Sequence, residues 1–181
     1  GISEIKGNKK PMGKSKTKKN QVAIYVSNNT DLKTVSDWLR IAKSTANTIN
    51  MNGETESFDY IDAEKATTEL KSYAPSMDHD IAMYKGNPDY EWAFDKFYYG
   101  DVGDDAKGSV LIIFQDHETA AGVYKAFVCG ATFTVTSMDA VSGVVNVSIT
   151  FNGDPIFGVV SGSGTPTFTE APAKPTIVCS N

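Results

Sequence analysis

Residues able to carry chemistry are scarce in this sequence. It has two histidines and two cysteines in 181 residues, which leaves little for metal binding or nucleophilic catalysis. His79 lies between Asp78 and Asp80, and His117 between Asp116 and Glu118. Neighbouring residues on a strand point to opposite faces, so neither triplet converges on a ligand set without partners from elsewhere. Cys129, among Phe127, Val128 and Ala131, reads as a buried thiol, because a nucleophile would need a base and an electropositive setting. Cys129 and Cys179 are too few and too unevenly placed for a disulfide framework. The acidic turn of Asp101, Asp104 and Asp105 lacks the carboxylate alternation of a calcium loop. The segment "SGSG" at 161–164 precedes no helix and is not a phosphate loop. Long apolar runs are missing as well: none approaches the ~20 residues of a membrane span, and no secretory leader pattern follows the start. These gaps lead us to expect a soluble, cytoplasmically made protein that is not an enzyme and uses no metal, cofactor or membrane.

Charge, by contrast, is unevenly distributed. Seven lysines (Lys6, Lys9, Lys10, Lys14, Lys16, Lys18 and Lys19) stand against the single acid Glu4 in residues 1–19, a net +6. The other ten basic and twenty-one acidic residues leave the body at −11. Such an asymmetry marks either an interaction tail or a solubilising terminus, and Gly7, Pro11 and Gly13 oppose regular structure in it. Length and composition allow one sizeable core. We therefore expect a disordered basic arm at 1–19, one domain over 20–160 with a mobile loop around 60–75, and a flexible tail at 161–181.

Along the body, "QVAIYVS" predicts a strand, and Asn52-Gly53 predicts the turn of a hairpin within 38–61. In "SMDHDIAMY", Met77, His79, Ile81 and Met83 alternate with Asp78, Asp80 and Ala82, the period of a half-buried strand. "GNPDYEWAFDKFYYGD" is the one convincing helix: Asn87 and Pro88 suit its start and Gly100 its end. Tyr90, Ala93, Phe94 and Phe97 form the expected core stripe, which leaves Trp92 and Tyr99 for a subunit interface or extra core contact. Beyond it the chain reads as strands, with the continuous run "SVLIIF" expected of a strand covered on both faces.

The order of these segments resembles the tail tube proteins (major tail proteins) of long-tailed bacteriophages. The resemblance rests on "DWLRIAK", a long acidic hairpin and loop, "SMDHDIAMYKG", the single aromatic helix "DYEWAFDKFYYGD", and a β-rich end closing on "VVNVSITFNGDPIFG". It covers roughly residues 20–160. It implies a mainly β fold of two packed sheets, sandwich- or barrel-like, with one flanking α-helix. The implied role is that of a virion tail structural protein that assembles into hexameric rings stacked as a hollow tube. Implied partners are further copies of itself and the tail terminator, tape measure and baseplate-type proteins, with DNA passing through but not bound. A lumen for DNA should be acidic, which makes Glu54, Glu56, Asp78 and Asp80 candidate wall residues. An ordinary solvated strand face is the alternative for these acids. For the whole chain the alternative is a β-sandwich binding module, such as a virion decoration or adhesin domain.

Overall fold

The computed structural model describes residues 22–42, 48–58, 67–161 and 165–171. The seven arm lysines, residues 59–66 of the expected loop and most of the C-terminal tail lie outside them. The described residues form β1 (Val22–Ser27), β2 (Leu39–Arg40), β3 (Thr48–Asn50), β4 (Gly53–Phe58), β5 (Thr67–Tyr73) and β6 (Ser76–Ala82). Helix α1 (Pro88–Tyr99) and a 3-10 turn (Gly103–Ala106) come next, then β7 (Lys107–Ala120), β8 (Val123–Asp139), β9 (Val144–Ser161) and β10 (Thr167–Glu170). One sheet runs β2-β1-β7-β8-β9-β6-β3, with β10 also on β9, and β4–β5 make a second, two-stranded sheet. The fold is thus mainly β with two sheets and one flanking helix, as the sequence predicts.

The run "SVLIIF" shows why the main sheet is central. Gly108–Ile113 of β7 are all buried, with Val110 and Ile112 facing one core and Leu111 and Ile113 the other. The first core gathers Ile24, Met77, Phe133, Val145, Val147 and Ile149 under α1. The second, around Ala23, Ala126, Val128 and Val160, is roofed by Leu32 and Trp38 of the 28–38 segment and by Phe168 of β10. Strands β2 and β6 stand five places apart, about 24 Å if the sheet were flat. One helix, about 18 Å long, touches both, so the sheet curls around it. Register shifts in β8 at Val128/Gly130 and Val135/Ser137 supply the bends. The long β8–β9 hairpin is closed by Asp139, whose carboxylate accepts the N–H groups of Val141 and Ser142 (2.9 and 3.2 Å). Those bonds, Ser142's first, hold its carboxyl below the usual carboxylate range.

Several expectations need correcting. Asn52-Gly53 does turn, with Asn52 at φ 48°, but β3 and β4 do not pair with each other. Instead β3 pairs with β6 and β4 with β5, so 48–58 and 67–82 are the two arms of one long hairpin kinked at 51–52. The Asn52 amide holds the kink by donating to Ala74 O and Ser76 Oγ, both at 3.0 Å. Thr67–Tyr73, expected within the loop, is therefore strand. So is Thr167–Glu170, expected within the flexible tail, because each pairs with the strand just before it, β5 with β4 and β10 with the end of β9.

The helix has the predicted limits but another face inward. Asp89, Trp92, Ala93 and Lys96 are buried, whereas Phe97 is exposed. The reason is polar. The Asp89 carboxylate accepts the Ala42 N–H (3.2 Å), and Lys96 Nζ donates to Asp105 O (2.8 Å) and pairs with Asp101 (3.4 Å). With both charges satisfied inside, the helix turns by about one residue from the stripe that apolar spacing alone selects.

Candidate assembly surfaces

With Asp89 and Lys96 turned inward, the aromatic residues at the C-terminal end of α1 turn outward, while Tyr90 stays half-buried against the core. Tyr90, Phe94 and Tyr98 follow one another at i, i+4 and i+8, with ring centroids 6.1 and 5.7 Å apart. Tyr99 meets Tyr98 edge-on at 5.0 Å and is 72% exposed. Phe97, Tyr98 and Val102 are exposed beside it. Of the two residues expected at an interface, Tyr99 is on this surface and Trp92 is not. Trp92 is 8% exposed, packs edge-on against Phe133 (4.9 Å) and donates its indole N–H to Asn28 Oδ1 (3.1 Å). It is a core residue and cannot reach a neighbour.

The end of α1 borders an open strand edge. Strand β7 begins at Lys107, opposite Thr132 of β8. From Phe133 to Asp139, β8 pairs with β9 alone among the described residues. A cleft of about 460 Å³ separates this edge from the helix end and the 3-10 turn, lined by Phe97, Val102, Ala106 and Thr132–Val135. An unpaired edge beside exposed aromatic rings is where another chain can add backbone hydrogen bonds and bury apolar surface together.

A second surface is polar. On β6 the alternation is as the sequence predicts: Met77, His79 and Ile81 are buried, Asp78 is exposed and Asp80 is partly exposed. The outward residues continue across the sheet, since Asp78 lies opposite Ser148 and Asp80 opposite Asn146. Thr134 and Thr132 of β8 face Ser148 and Thr150. Asn146 Nδ2 donates to Asp80 Oδ1 (2.7 Å). The result is a hydroxyl-rich, acidic face with no base among these residues. Glu54 and Glu56 lie apart from it on exposed β4: Glu54 accepts from Ser72 Oγ (3.1 Å), and Glu56 sits opposite Glu69.

Among the described residues no three His, Cys, Asp or Glu side chains group as a metal site. His79 is fully buried under the sheet, and His117 is exposed against Asp116 (2.9 Å). Cys129 is buried, its thiol pushed up from the ordinary value first by burial and then by the nearby Asp154 charge. Sequence reasoning missed the open β8 edge. Its only signal is the length mismatch between β7 and β8, which pairing reveals and sequence does not.

No family model and no curated protein matches the chain. Among solved structures it is similar to a chain in the cryo-EM structure of the anti-feeding prophage (AFP) baseplate, 6-fold symmetrised. The two share 8% identity at a TM-score of 0.46, over 80% of this chain and 97% of that one.

Proposed function

We propose that the chain is a non-enzymatic structural subunit of a phage tail, built to assemble with copies of itself into hexameric rings that stack as a tube. The observation that carries this reading is the open β8 edge lying beside the exposed aromatic end of α1 around one cleft. Either feature alone is a liability for a soluble monomer; together they form a surface that a neighbouring sheet can complete. The curled sheet with one helix and a long hairpin agrees with the architecture that the order of segments suggests. In this reading the acidic, hydroxyl-rich face of β6, β8 and β9 lines the lumen, where it repels phosphates. The lysine arm docks on the acidic body of the next subunit, and the tube's ends meet terminator, tape measure and baseplate-type partners.

Negative-stain electron microscopy of concentrated protein, with sedimentation of the same samples, tests the proposal. Rings or tubes are the expected products. Replacing Tyr98 and Tyr99 by serine should abolish them while leaving the thermal unfolding transition within about 1 kcal/mol of the parent, as expected for exposed residues. A parent protein that stays monomeric at every concentration and salt would overturn the reading.

A further inference from the structure

A second cleft, of about 590 Å³, lies where the kinked hairpin meets the second half of β9. Met51 and Tyr73 form one wall and Phe114, Phe127, Phe151 and Phe157 the other. Phe127 is the hub, with ring centroids of the other three 5.9 to 6.1 Å away. The cleft is open: Phe157 is 64% exposed, Tyr73 54% and Met51 48%. Apolar surface of this kind is costly to leave in water. It opens on the side of the sheet that carries α1, since Phe114, Phe127 and Phe151 pack against the core under the helix. The chain's own helix does not fill it. The aromatic end of α1 borders Thr132–Val135, and Phe127 is five residues further back along β8, about 17 Å away.

Strand directions decide what a neighbouring copy can bring there. Strand β3 ends the sheet, among the described residues its outer side has no partner, and its Ile49 lines the cleft. β3 runs opposite to β6, β6 to β9 and β9 to β8, so β3 runs opposite to β8. The open part of β8 faces the β7 side of the sheet, and the outer side of β3 faces the other way. Two copies side by side in the same orientation therefore bring β3 of one against the open β8 edge of the other, antiparallel, with both helices on one side. Ile49 opposite Val135 keeps both side chains on the helix side, where each packs against the first core of its own copy. The helix end beside that β8 edge then overhangs β3 of the other copy, and with it the wall of the aromatic cleft. Charge agrees with this placement. Against one acid, Asp154, the cleft carries Lys71 and the adjoining Lys125, which lies opposite Phe114. The helix end is flanked by exposed Asp95 and Asp105.

We infer that the aromatic cleft receives the Tyr98–Tyr99 end of α1 from a second copy of the chain. Each copy gives its helix end on one side and its cleft on the other, a head-to-tail contact that uses two different surfaces. The inference rests on the reading that copies assemble, and names the surface that the helix end meets.

Cleft and helix end can be disabled separately. Phe157→Asp with Tyr73→Asp changes exposed positions only, so the unfolding midpoint should match the parent's. The concentration needed for assembly should rise more than about tenfold, as on losing an aromatic anchor. Lys71→Glu with Lys125→Glu should also raise it, and adding Asp95→Lys and Asp105→Lys should bring it back. Mixing the Tyr98→Ser, Tyr99→Ser chain with the Phe157→Asp, Tyr73→Asp chain leaves one intact helix end and one intact cleft. That mixture should yield mixed pairs, trapped by a brief chemical cross-link, and nothing longer. If the parent assembles and both cleft variants do so at the same concentration, the inference falls and the assembly reading stands. The same holds if the mixture gives no mixed pairs, or if the Phe157→Asp, Tyr73→Asp chain pairs with itself, because helix ends would then meet each other. A parent that never assembles removes both.

Discussion

Two side chains that look similar in the sequence have opposite roles in the fold. Trp92 and Tyr99 both lie off the apolar stripe of α1, yet Trp92 is sealed between Phe133 and Asn28 while Tyr99 stands in solvent. Trp92→Ala should therefore cost about 3–5 kcal/mol, read as a lowered denaturant midpoint with an unchanged slope. That is a large part of the ~5–15 kcal/mol available to a domain. A loss below about 1 kcal/mol would mean that the indole contributes little to the core. Cys129 makes a pH prediction. Its thiol is held above the ordinary value of 9.0, chiefly by burial, so the folded chain keeps a proton that the unfolded chain releases first. Stability from this group is complete below the unfolded value and declines as pH rises from there toward the folded one. Unfolding followed between pH 8 and 10.5 should show a decline that Cys129→Ala reduces; identical profiles would assign the decline to other groups.

At the scale of elements, the long hairpin carries a conflict that mutation can relieve. Glu56 and Glu69 are opposite each other on exposed strands, and directly opposed like charges weaken a pair. Glu69→Lys should stabilise the β4–β5 arm by about 0.2–1 kcal/mol, seen as slower amide exchange over 53–58; unchanged exchange would show that the charges are already screened. The same hairpin shows what the sequence could and could not reveal. Strands with a buried face were legible: the β7 run is apolar because both sides are covered, and β6 alternates because one side is. β5 and β10 were not, since "TTELKSY" and "TFTE" are largely solvent-facing and carry little hydrophobic period. They are strands because the backbone of the preceding strand pairs with each, an interaction that leaves no side-chain period. The limits of α1 were readable from Pro88 and Gly100, whose chemistry is local. Its inward face was not, because it depends on the Ala42 amide and the Asp105 carbonyl, which the helix sequence does not contain. For the same reason Tyr99 was identifiable as a candidate interface residue while the open β8 edge beside it was not.

For the whole molecule, the proposed tube makes charge decisive. Exposed ion pairs are each worth at most about 1 kcal/mol, but seven arm lysines repeated around a ring can add up. Replacing Lys6, Lys9, Lys10, Lys14, Lys16, Lys18 and Lys19 with serine should leave the unfolding midpoint unchanged and slow tube growth, as added salt should for the parent; growth at the parent's rate would make the arm a mere solubiliser. Asp78→Lys with Asp80→Lys should give tubes that retain DNA in particles, and normal delivery would remove those residues from the lumen. The central β8–β9 hairpin has one more consequence, in the order of events during synthesis. β1 pairs with β7, whose register reaches Phe114, and β6 with β9, whose register reaches Thr150. β2 can pair with β1, and β3 with β6, as soon as they are made, but β1 and β6 cannot join the central strands of the sheet until late in translation. At ~5–20 residues per second, β6 waits several seconds with Met77 and Ile81 uncovered on the ribosome. The hairpin itself closes locally as soon as it emerges, giving the earlier strands a template on which to assemble in reverse order. The nascent chain, more than the finished subunit, is then the form most exposed to aggregation, and the one on which a chaperone would act.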